Sequence, residues 1–451
     1  MKTNIILTVL LFLTITLQAQ IGTTYSFDLS KAEDLKQIRI VSSENFDVVY
    51  AHIDDLVFRE SPFIAVSVRL EGQRLDDDLT LQIHAKDDNK TTVSYQTLHH
   101  FHESEEDPSR IFVSELAFLD KTTSHIQVVC KLEKPALAKL NTLHIRVFNP
   151  CNIPPVTTEP QSILGACDAP PSVSRSVWGA NWGLTNNVQY KSTPSYSTVT
   201  HLIVHHSAGP NTSTNWAATV ASIFDYHVNS NGWSDVGYNY LIAPDGTLFY
   251  GRGGGNNVIG AHYCAKNNNT MGVCMMGTYT TVAPTDTAWR TLEKIFAWKA
   301  YESNINPTAS APLSNLGSIP VINGHRSGCE TECPGDSNFN RLPALRLRLG
   351  AMVAACRAVS TQDITSNLSA VILSPNPVVN GTITLKAELV QSEPLNIKAF
   401  DALGRQVFEK TLTDKSLLIN ENLDISHLAQ GAYIFKVMAG QSAVSQKVVI
   451  E

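Results

Sequence analysis

Two short segments of this 451-residue chain carry side chains of the types that can bind metal ions. "LIVHHSAGP" holds His205 and His206, and "NGHRSGCETECPG" holds His325, Cys329 and Cys333. Zinc prefers imidazole and thiolate ligands, and a catalytic zinc keeps three protein ligands and one position open to water. Two neutral histidines and one thiolate leave the ion with net positive charge, which lowers the pKa of bound water to about 7 and polarises a carbonyl group. These residue types therefore indicate a candidate zinc site.

The spacing of the candidate ligands limits which of them can meet. His205 and His206 are adjacent at the end of a predicted strand, where neighbouring side chains point to opposite faces. Only one of them can face a given site, and the other is left for packing or support. The separation of eight positions between His325 and Cys333 allows a loop to fold back onto one ion. Each signal is weak alone, since a core histidine is more often hydrogen-bonded structure than a ligand.

The segments that must position these side chains show an α/β pattern between residues 172 and 359. "TVTHLIVHH" and "YNYLIAPDGTLFYG" predict strands, the second a hairpin that turns at Asp245 and Gly246. "NWAATVASIFDYHV", with "TST" before it as the N-cap, and "TAWRTLEKIFAWKA" have apolar residues at helical spacing. "MGVCMMG" predicts a buried strand in which Cys274 is a small hydrophobic residue. We expect a mixed central sheet with flanking helices.

An N-terminal β pattern precedes this domain. Residues 21–149 alternate apolar and polar residues in runs such as "FIAVSVRL" and "SHIQVVCKL", which predicts a β-sandwich of unknown role. It contains His99, His100 and His102, which could form a metal site. Surface histidines in a loop are the better interpretation, because no cysteine or carboxylate frame fixes them.

Proline-rich residues 150–171 predict a linker between the two regions. Cys151 and Cys167 flank this linker and are candidates for a disulfide across it. A second linker is expected over residues 360–373, and short strands return in a small C-terminal β-sandwich over residues 374–451.

The N-terminus predicts export. Residues 1–20 carry one lysine, an apolar run from Ile5 to Leu17, and Ala19 where a signal peptidase would cut. The run is short for a membrane span, so we interpret it as a cleaved signal peptide, with a retained anchor as the alternative. No membrane span is expected after cleavage. The eight cysteines permit disulfides without dictating them, and a net charge of -7 argues against nucleic-acid binding.

The middle domain resembles the peptidoglycan recognition proteins and is similar to the amidase-type phage lysozymes, which are zinc-dependent N-acetylmuramoyl-L-alanine amidases. "HLIVHHSAGP", "YHVNSNGWSDVGYNYLIAPDGTLFYGRG", "VIGAHYCAKNNNTMGVCMMGTY" and "GHRSGCETECPG" follow in the family's order. The resemblance implies an enzyme that hydrolyses the amide between N-acetylmuramic acid and L-alanine in peptidoglycan. A non-catalytic recognition module with a structural zinc is the alternative. A surface adhesin built on the two β domains is a third possibility.

The resemblance also implies a role for each matching residue. His205, His325 and Cys333 correspond to the three zinc ligands. Tyr238 corresponds to the tyrosine that polarises the scissile carbonyl or stabilises its oxyanion, although Tyr240 in the same "YNYLI" could be the relevant aromatic residue. Thr331 stands where phage enzymes carry a lysine, as in the amidase-active recognition proteins.

Further expectations follow from the family pattern. Recognition proteins that have lost the third ligand only bind, so the presence of Cys333 favours catalysis. Cys329 has no ligand role in the family, and we infer that it pairs with Cys264, with a free Cys329 as the alternative. His206 is left as a wall or supporting residue. "GRGGGNNVIGAH" is two residues longer than the family's segment and lacks its tryptophan, so a preference for diaminopimelate or lysine in the stem peptide stays open.

The C-terminal segment resembles the type A sorting domain of the type IX secretion system. "SPNPVVNGTITL", "IKAFDALGRQVFEK" and "LAQGAYIFKV" carry this resemblance. An immunoglobulin-like wall-binding module is the alternative. The resemblance implies export through the periplasm by the type IX machinery, to the cell surface or the medium.

Overall fold

The chain divides into two compact units, Met1–Cys356 and Arg357–Glu451. The computed structural model describes residues 22–34, 36–56, 61–72, 79–98, 110–150, 153–156, 167–360, 367–402, 404–413, 416–440 and 442–451. The predicted signal peptide, the histidines His99, His100 and His102, and Cys151 lie outside these residues. Within the described ranges, no helix has both the length and the apolar character needed to cross a membrane.

Residues 22–148, here called the N-terminal β region, form ten strands in the part of the range that the structure describes, as their alternating pattern predicts. One antiparallel sheet has the order β1-β10-β4-β7 with β8 also paired to β4, and the other has the order β2-β3-β9-β5-β6. Apolar side chains of both sheets, such as Val68 and Val128, belong to one buried cluster. The strands are β1 Gly22–Asp28, β2 Ile38–Ser42, β3 Phe46–Ile53, β4 Ile64–Gly72, β5 Leu79–Lys86, β6 Thr92–Leu98, β7 Arg110–Val113, β8 Ala117–Leu119, β9 His125–Glu133 and β10 Leu140–Phe148.

The middle of the chain has a mixed five-stranded sheet of order β13-β12-β14-β11-β17. Strand β11 is parallel to β14 and β17, and β12 is parallel to β14. The predicted hairpin is confirmed, since β12 and β13 are antiparallel and Gly246 between them has φ of 92°, which favours glycine. The strands are β11 His201–His206, β12 Tyr240–Ile242, β13 Leu248–Tyr250, β14 Thr270–Met275, β15 Ser310–Pro312, β16 Ser318–Pro320 and β17 Ile322–Gly324.

Helices cover both faces of this sheet, as a largely parallel sheet requires. Apolar residues of α3 and α5 share a cluster with Val204 and Val273, and those of α2 share another with Leu241 and Cys274. The helices are α1 Arg175–Trp178, α2 Trp216–Asp225, α3 Asp286–Glu302, α4 Asp336–Phe339 and α5 Leu342–Ser360, and a π-helical turn, Tyr226–Ser230, continues α2.

The N-cap predicted for α2 in "TST" is wrong by one residue. Asn215 caps the helix, because its extended backbone lets its side-chain oxygen accept a hydrogen bond from the Ala218 amide at 3.0 Å. The disulfide of Cys167 also differs from the one that was expected across the linker. Cys167 forms a disulfide with Cys356, 189 residues away, at the end of the same unit.

The C-terminal unit is all β, which confirms the predicted class. Its two antiparallel sheets have the orders β18-β19-β22 and β21-β20-β23-β24, and their apolar residues share one cluster. The first strand begins at Leu368, inside the segment expected to be a linker, because "LSAVILS" pairs with β19. The strands are β18 Leu368–Ser374, β19 Thr382–Leu389, β20 Leu395–Phe400, β21 Gln406–Leu412, β22 Leu418–Asp424, β23 Gly431–Ala439 and β24 Ser442–Ile450.

Candidate metal centre

The three expected ligands meet at one edge of the mixed sheet. His205 is the penultimate residue of β11, His325 directly follows β17, and Cys333 returns on the loop that follows. Their ligand atoms all lie within 4.8 Å of one another, and all three residues are buried. His205 Nδ1 is 3.8 Å from Cys333 Sγ. Two ligands of a tetrahedral zinc, each about 2.0–2.3 Å from the ion, lie about 3.5 Å apart. The donor set therefore fits a zinc ion.

The protonation states of these groups suit metal binding. Burial holds the pKa of His205 well below its ordinary value and lowers that of His325 to about 3, so both imidazoles are neutral near pH 7. The neutral imidazole is the form that binds a metal. The backbone amide of His206 donates to Cys333 Sγ at 3.2 Å, which favours the thiolate. The site can therefore accept a cation with little proton release from its histidines.

His206 points away from the ligand cluster, as alternation along a strand predicts. Its Nδ1 accepts a hydrogen bond from the Tyr279 amide at 3.4 Å. Burial lowers the pKa of its imidazole to about 4. His206 thus supports the loop that begins after β14 and leaves the metal position to His205.

A fourth histidine, His262, belongs to the site and has no role in the sequence prediction. Its Nδ1 lies 3.0 Å from His205 Nε2, and its Nε2 lies 3.3 Å from Thr270 Oγ1. The Thr270 hydroxyl donates to the Asn267 carbonyl oxygen at 2.8 Å, so it accepts from His262 Nε2–H. His262 Nδ1 is then the acceptor, and His205 must carry its proton on Nε2. This chain leaves His205 Nδ1 as the lone-pair nitrogen facing Cys333.

Two glycines make room for the His262 ring. A Cβ atom on Gly272 of β14 would lie 2.5 Å from His262 Cγ, and one on Gly260 would lie 2.4 Å from His262 Cδ2. Any other residue at either position would displace the ring. Burial lowers the pKa of His262 to about 3, so it is neutral as well. A glycine inside an apolar strand marks a close approach by another group, and this was the available signal for His262.

Tyr238 lies beside the metal ligands, whereas Tyr240 does not. The Tyr238 ring is buried, with its centroid 5.2 Å from that of His205 and 5.5 Å from that of His227. Tyr240 instead packs against Tyr250, with ring centroids 5.3 Å apart. The two tyrosines are separated because Tyr238 precedes the first residue of β12, where strand alternation does not yet apply.

The loop that carries Cys333 is fixed at two points. Thr331 Oγ1 accepts a hydrogen bond from the Cys333 amide at 3.2 Å, so Thr331 supports the backbone of the third ligand. Cys329 forms the expected disulfide with Cys264. Cys264 Sγ lies 3.8 Å from His325 Nε2, so this disulfide borders the metal position without offering a thiolate. Cys274 is buried on β14, as predicted.

Comparison with known proteins gives two family matches. Residues 195–336 match the family described as N-acetylmuramoyl-L-alanine amidase, and residues 373–451 match the one described as secretion system C-terminal sorting domain. Peptidoglycan-recognition protein SC2 of Drosophila simulans is 33% identical over 184 residues, which are 40% of this chain and 88% of that protein. The N-acetylmuramoyl-L-alanine amidase of Homo sapiens is 34% identical over 145 residues, 31% of this chain and 23% of that protein. The solved structure of Drosophila PGRP-LB is 26% identical and matches 39% of this chain and 93% of that one, with a TM-score of 0.32.

Proposed function

The chain belongs to the N-acetylmuramoyl-L-alanine amidase family, and from that membership we propose that it is a zinc-dependent amidase of peptidoglycan. Its substrate is the amide between the lactyl carbonyl of N-acetylmuramic acid and the nitrogen of L-alanine. The convergence of His205, His325 and Cys333 carries the proposal, because these are three ligands of the kind that a catalytic zinc uses.

Each residue of the site has a task in this proposal. His205, His325 and Cys333 would hold the zinc, and its charge would activate water and polarise the scissile carbonyl. Tyr238 would donate a hydrogen bond to the oxygen of that carbonyl as negative charge develops on it. His262 would keep the His205 ring in the tautomer that ligates through Nδ1. Thr331 would hold the Cys333 backbone.

A non-catalytic binding module is the competing function, and the ligand set argues against it. A structural zinc site is usually closed by four protein ligands, whereas His205, His325 and Cys333 supply three. The other two cysteines near His325 are Cys264 and Cys329, and their sulfurs are bonded to each other. The described residues around the site therefore favour a position left for water over a fourth protein ligand.

Release of fragments from purified sacculi tests the proposal. The zinc-loaded full chain should release soluble stem peptides with new free amino termini at L-alanine, and a zinc chelator should stop the release. Cys333→Ser is the matched inactive protein, and Cys274→Ser on β14 is a buried cysteine control. Sacculi that bind the loaded chain but release nothing would identify a recognition module instead.

The proposal extends to location and domain division. Residues 172–359 form the amidase domain and residues 374–451 the sorting domain, after a signal peptide over residues 1–20 and the β-sandwich over residues 21–149. The match of residues 373–451 to a secretion sorting domain supports export by the type IX machinery to the surface or the medium. Peptidoglycan outside the cytoplasm is accessible to an enzyme on that route.

A further inference from the structure

The N-terminal β region packs against helix α2 through buried polar contacts. Arg146 of β10 donates two hydrogen bonds, both 2.7 Å long, to the buried carboxylate of Asp225 at the end of α2. Ser67 of β4 and Ser230 share a buried hydrogen bond of 2.7 Å. Such polar contacts fix the orientation of the two surfaces, because a buried charge that loses its partner is costly.

Apolar contacts extend the same interface. Phe148 of β10 stacks on Trp182 with centroids 5.8 Å apart, and Ala65 of β4 is fully buried in the cluster that contains Phe224 of α2. A polar linker between independent domains does not produce a shared buried cluster of this kind. The N-terminal β region therefore has a fixed position relative to the amidase fold.

One segment of the N-terminal β region packs against the elements that carry the candidate metal ligands and Tyr238. This segment, residues 114–118, consists of the connection from β7 to β8 and the first two residues of β8, and the Tyr226 hydroxyl donates to the Ser114 carbonyl oxygen at 2.7 Å. Ser114 is itself buried, and its hydroxyl accepts from the Val68 amide at 2.9 Å. On the other side, a Cβ on Gly209 would lie 3.3 Å from the ring of Phe118. The segment is thus held between α2 and the loop that follows the metal-binding strand.

This segment lines a cavity together with residues of the amidase fold. Its contribution is Glu115, Leu116 and Phe118, and the opposite side consists of Ser207, Ile223, Tyr226, His227 and Tyr238. Tyr238 is the residue beside His205, and Ser207 follows directly after β11. A group in this cavity therefore lies next to Tyr238, and on the side of Leu116 and Phe118 it meets apolar surface, while Glu115, Ser207 and His227 supply the polar part of the lining.

We propose that Leu116 and Phe118 are specificity-determining residues of the amidase cleft, which bind a methyl group next to the scissile amide. This inference rests on the proposed function for the identity of the substrate. The scissile amide has two such methyl groups, on the lactyl side and on L-alanine. The polar sugar hydroxyls and the charged end of the stem peptide do not suit an apolar wall. The N-terminal β region thus takes part in substrate recognition and is not only a spacer.

Binding measurements on the zinc-free full chain test the inference without turnover. The ligands are a soluble muramyl pentapeptide, its normuramyl analogue without the lactyl methyl, and an analogue with glycine in place of L-alanine. The wild-type chain should bind the parent about tenfold or more tightly than one of the two analogues, which identifies the methyl group that is bound. In Leu116→Ala this ratio of Kd values should fall toward one, and Leu116→Met should retain most of it.

Ser67→Ala is the matched control, because it removes a contact of the same interface and does not line the cavity. It should leave the ratio of Kd values at the wild-type level. The inference is overturned if the wild type does not discriminate, if Leu116→Ala keeps the ratio, or if Ser67→Ala lowers it equally. Hydrolysis by the zinc-loaded chain is scored separately, so a chain that binds with this preference but does not hydrolyse refutes only the proposed function.

Discussion

His262 Nδ1 accepts a hydrogen bond from His205 Nε2 at 3.0 Å, and this contact fixes which nitrogen of His205 is left for a metal. The direction of the bond follows from the next link, since the Thr270 hydroxyl donates to a carbonyl oxygen. An imidazole thus takes the place that a carboxylate or a carbonyl oxygen usually occupies behind a zinc-binding histidine. A neutral partner adds no negative charge to the site, so under the proposed function more of a bound zinc ion's positive charge would act on the substrate.

His262→Ala should therefore weaken zinc binding by about 10- to 100-fold, because His205 loses the group that holds its ring and tautomer. His262→Asn should retain more affinity, since its side-chain oxygen can replace Nδ1 as the acceptor. Competition with a chromogenic chelator measures both affinities, and circular dichroism shows that each variant is folded. Equal zinc affinity in the wild type and in His262→Ala would show that His262 does not support His205 as a zinc ligand.

Replacement of each cysteine of "GCETECPG" by serine should have a different effect on zinc content. Cys333→Ser should lose zinc and hydrolysis together, because a ligand and its charge are removed. Cys329→Ser should keep zinc but lose about 2–5 kcal/mol of unfolding free energy, because its disulfide with Cys264 closes a loop of the native chain. Emission spectroscopy measures the zinc content of each variant, and urea unfolding measures its unfolding free energy. If only Cys329→Ser lost zinc, Cys329 and not Cys333 would be the ligand.

Tyr238→Phe should lower kcat by about a hundredfold or more, equivalent to about 3 kcal/mol, with zinc content and unfolding free energy nearly unchanged. The hydroxyl acts on charge that is present mainly in the transition state, so kcat should fall more than KM rises. Tyr240→Phe is the matched control, because that ring packs on Tyr250 away from the ligands. Kinetics on a soluble muramyl peptide with wild-type kcat in Tyr238→Phe would contradict the assigned role.

Acidification should destabilise the zinc-free protein below about pH 6.5. Burial lowers the pKa of His227 to about 3, and the second cause is the charge of Arg252. The unfolded chain then binds the proton more tightly than the folded chain, so stability is complete above the unfolded pKa and falls as the pH drops toward 3. Each such histidine contributes at most about 1.4 kcal/mol per pH unit in that window.

Urea unfolding of the zinc-free chain at several pH values between about 7 and 4 measures this slope. His227→Gln should give a shallower dependence than the wild type, since one titrating group is removed while carboxylates are unchanged. Identical slopes for the two proteins would show that the pKa of His227 is the same in the folded and unfolded chains, which would contradict the lowered pKa.

Removal of residues 367–451 should keep the protein inside the cell envelope without inactivating it. The remaining unit has its own cores and both disulfides, so zinc binding and hydrolysis should persist in the periplasmic fraction. Fractionation followed by an activity gel compares the truncated and full chains. Normal appearance of the truncated protein outside the cell would contradict the sorting role.

Local pattern was sufficient for much of the site. Period-two alternation predicts that only one of His205 and His206 faces the candidate metal position, and the family resemblance of four motifs predicts His325 and Cys333 as the other ligands. Strands and helices of the mixed sheet follow from their apolar spacing. The N-cap of α2 was predicted in "TST", directly before Asn215, because serine, threonine and asparagine are all good capping residues and only the backbone decides between them.

Contacts between segments far apart in the sequence could not be predicted from such local patterns. His262 meets His205 across 57 residues, and no short-range signal links them except the glycines that admit its ring. Cys167 pairs with Cys356 instead of with a cysteine across the linker, since connectivity depends on where the folded chain brings the sulfurs. The apolar face of α2 predicts burial, but it does not say that the N-terminal β region covers it.

The disulfide between Cys167 and Cys356 also sets how the chain carries mechanical load. Cys356 is the last residue of the first compact unit, and Arg357 begins the second. Tension applied through the C-terminal unit reaches Cys356, crosses the covalent bond to Cys167 and continues toward the N-terminus. The segment between the two cysteines, which contains the whole metal site, lies outside that path. Tension carried along the covalent chain between the two ends of the protein therefore bypasses the segment that holds the ligand residues.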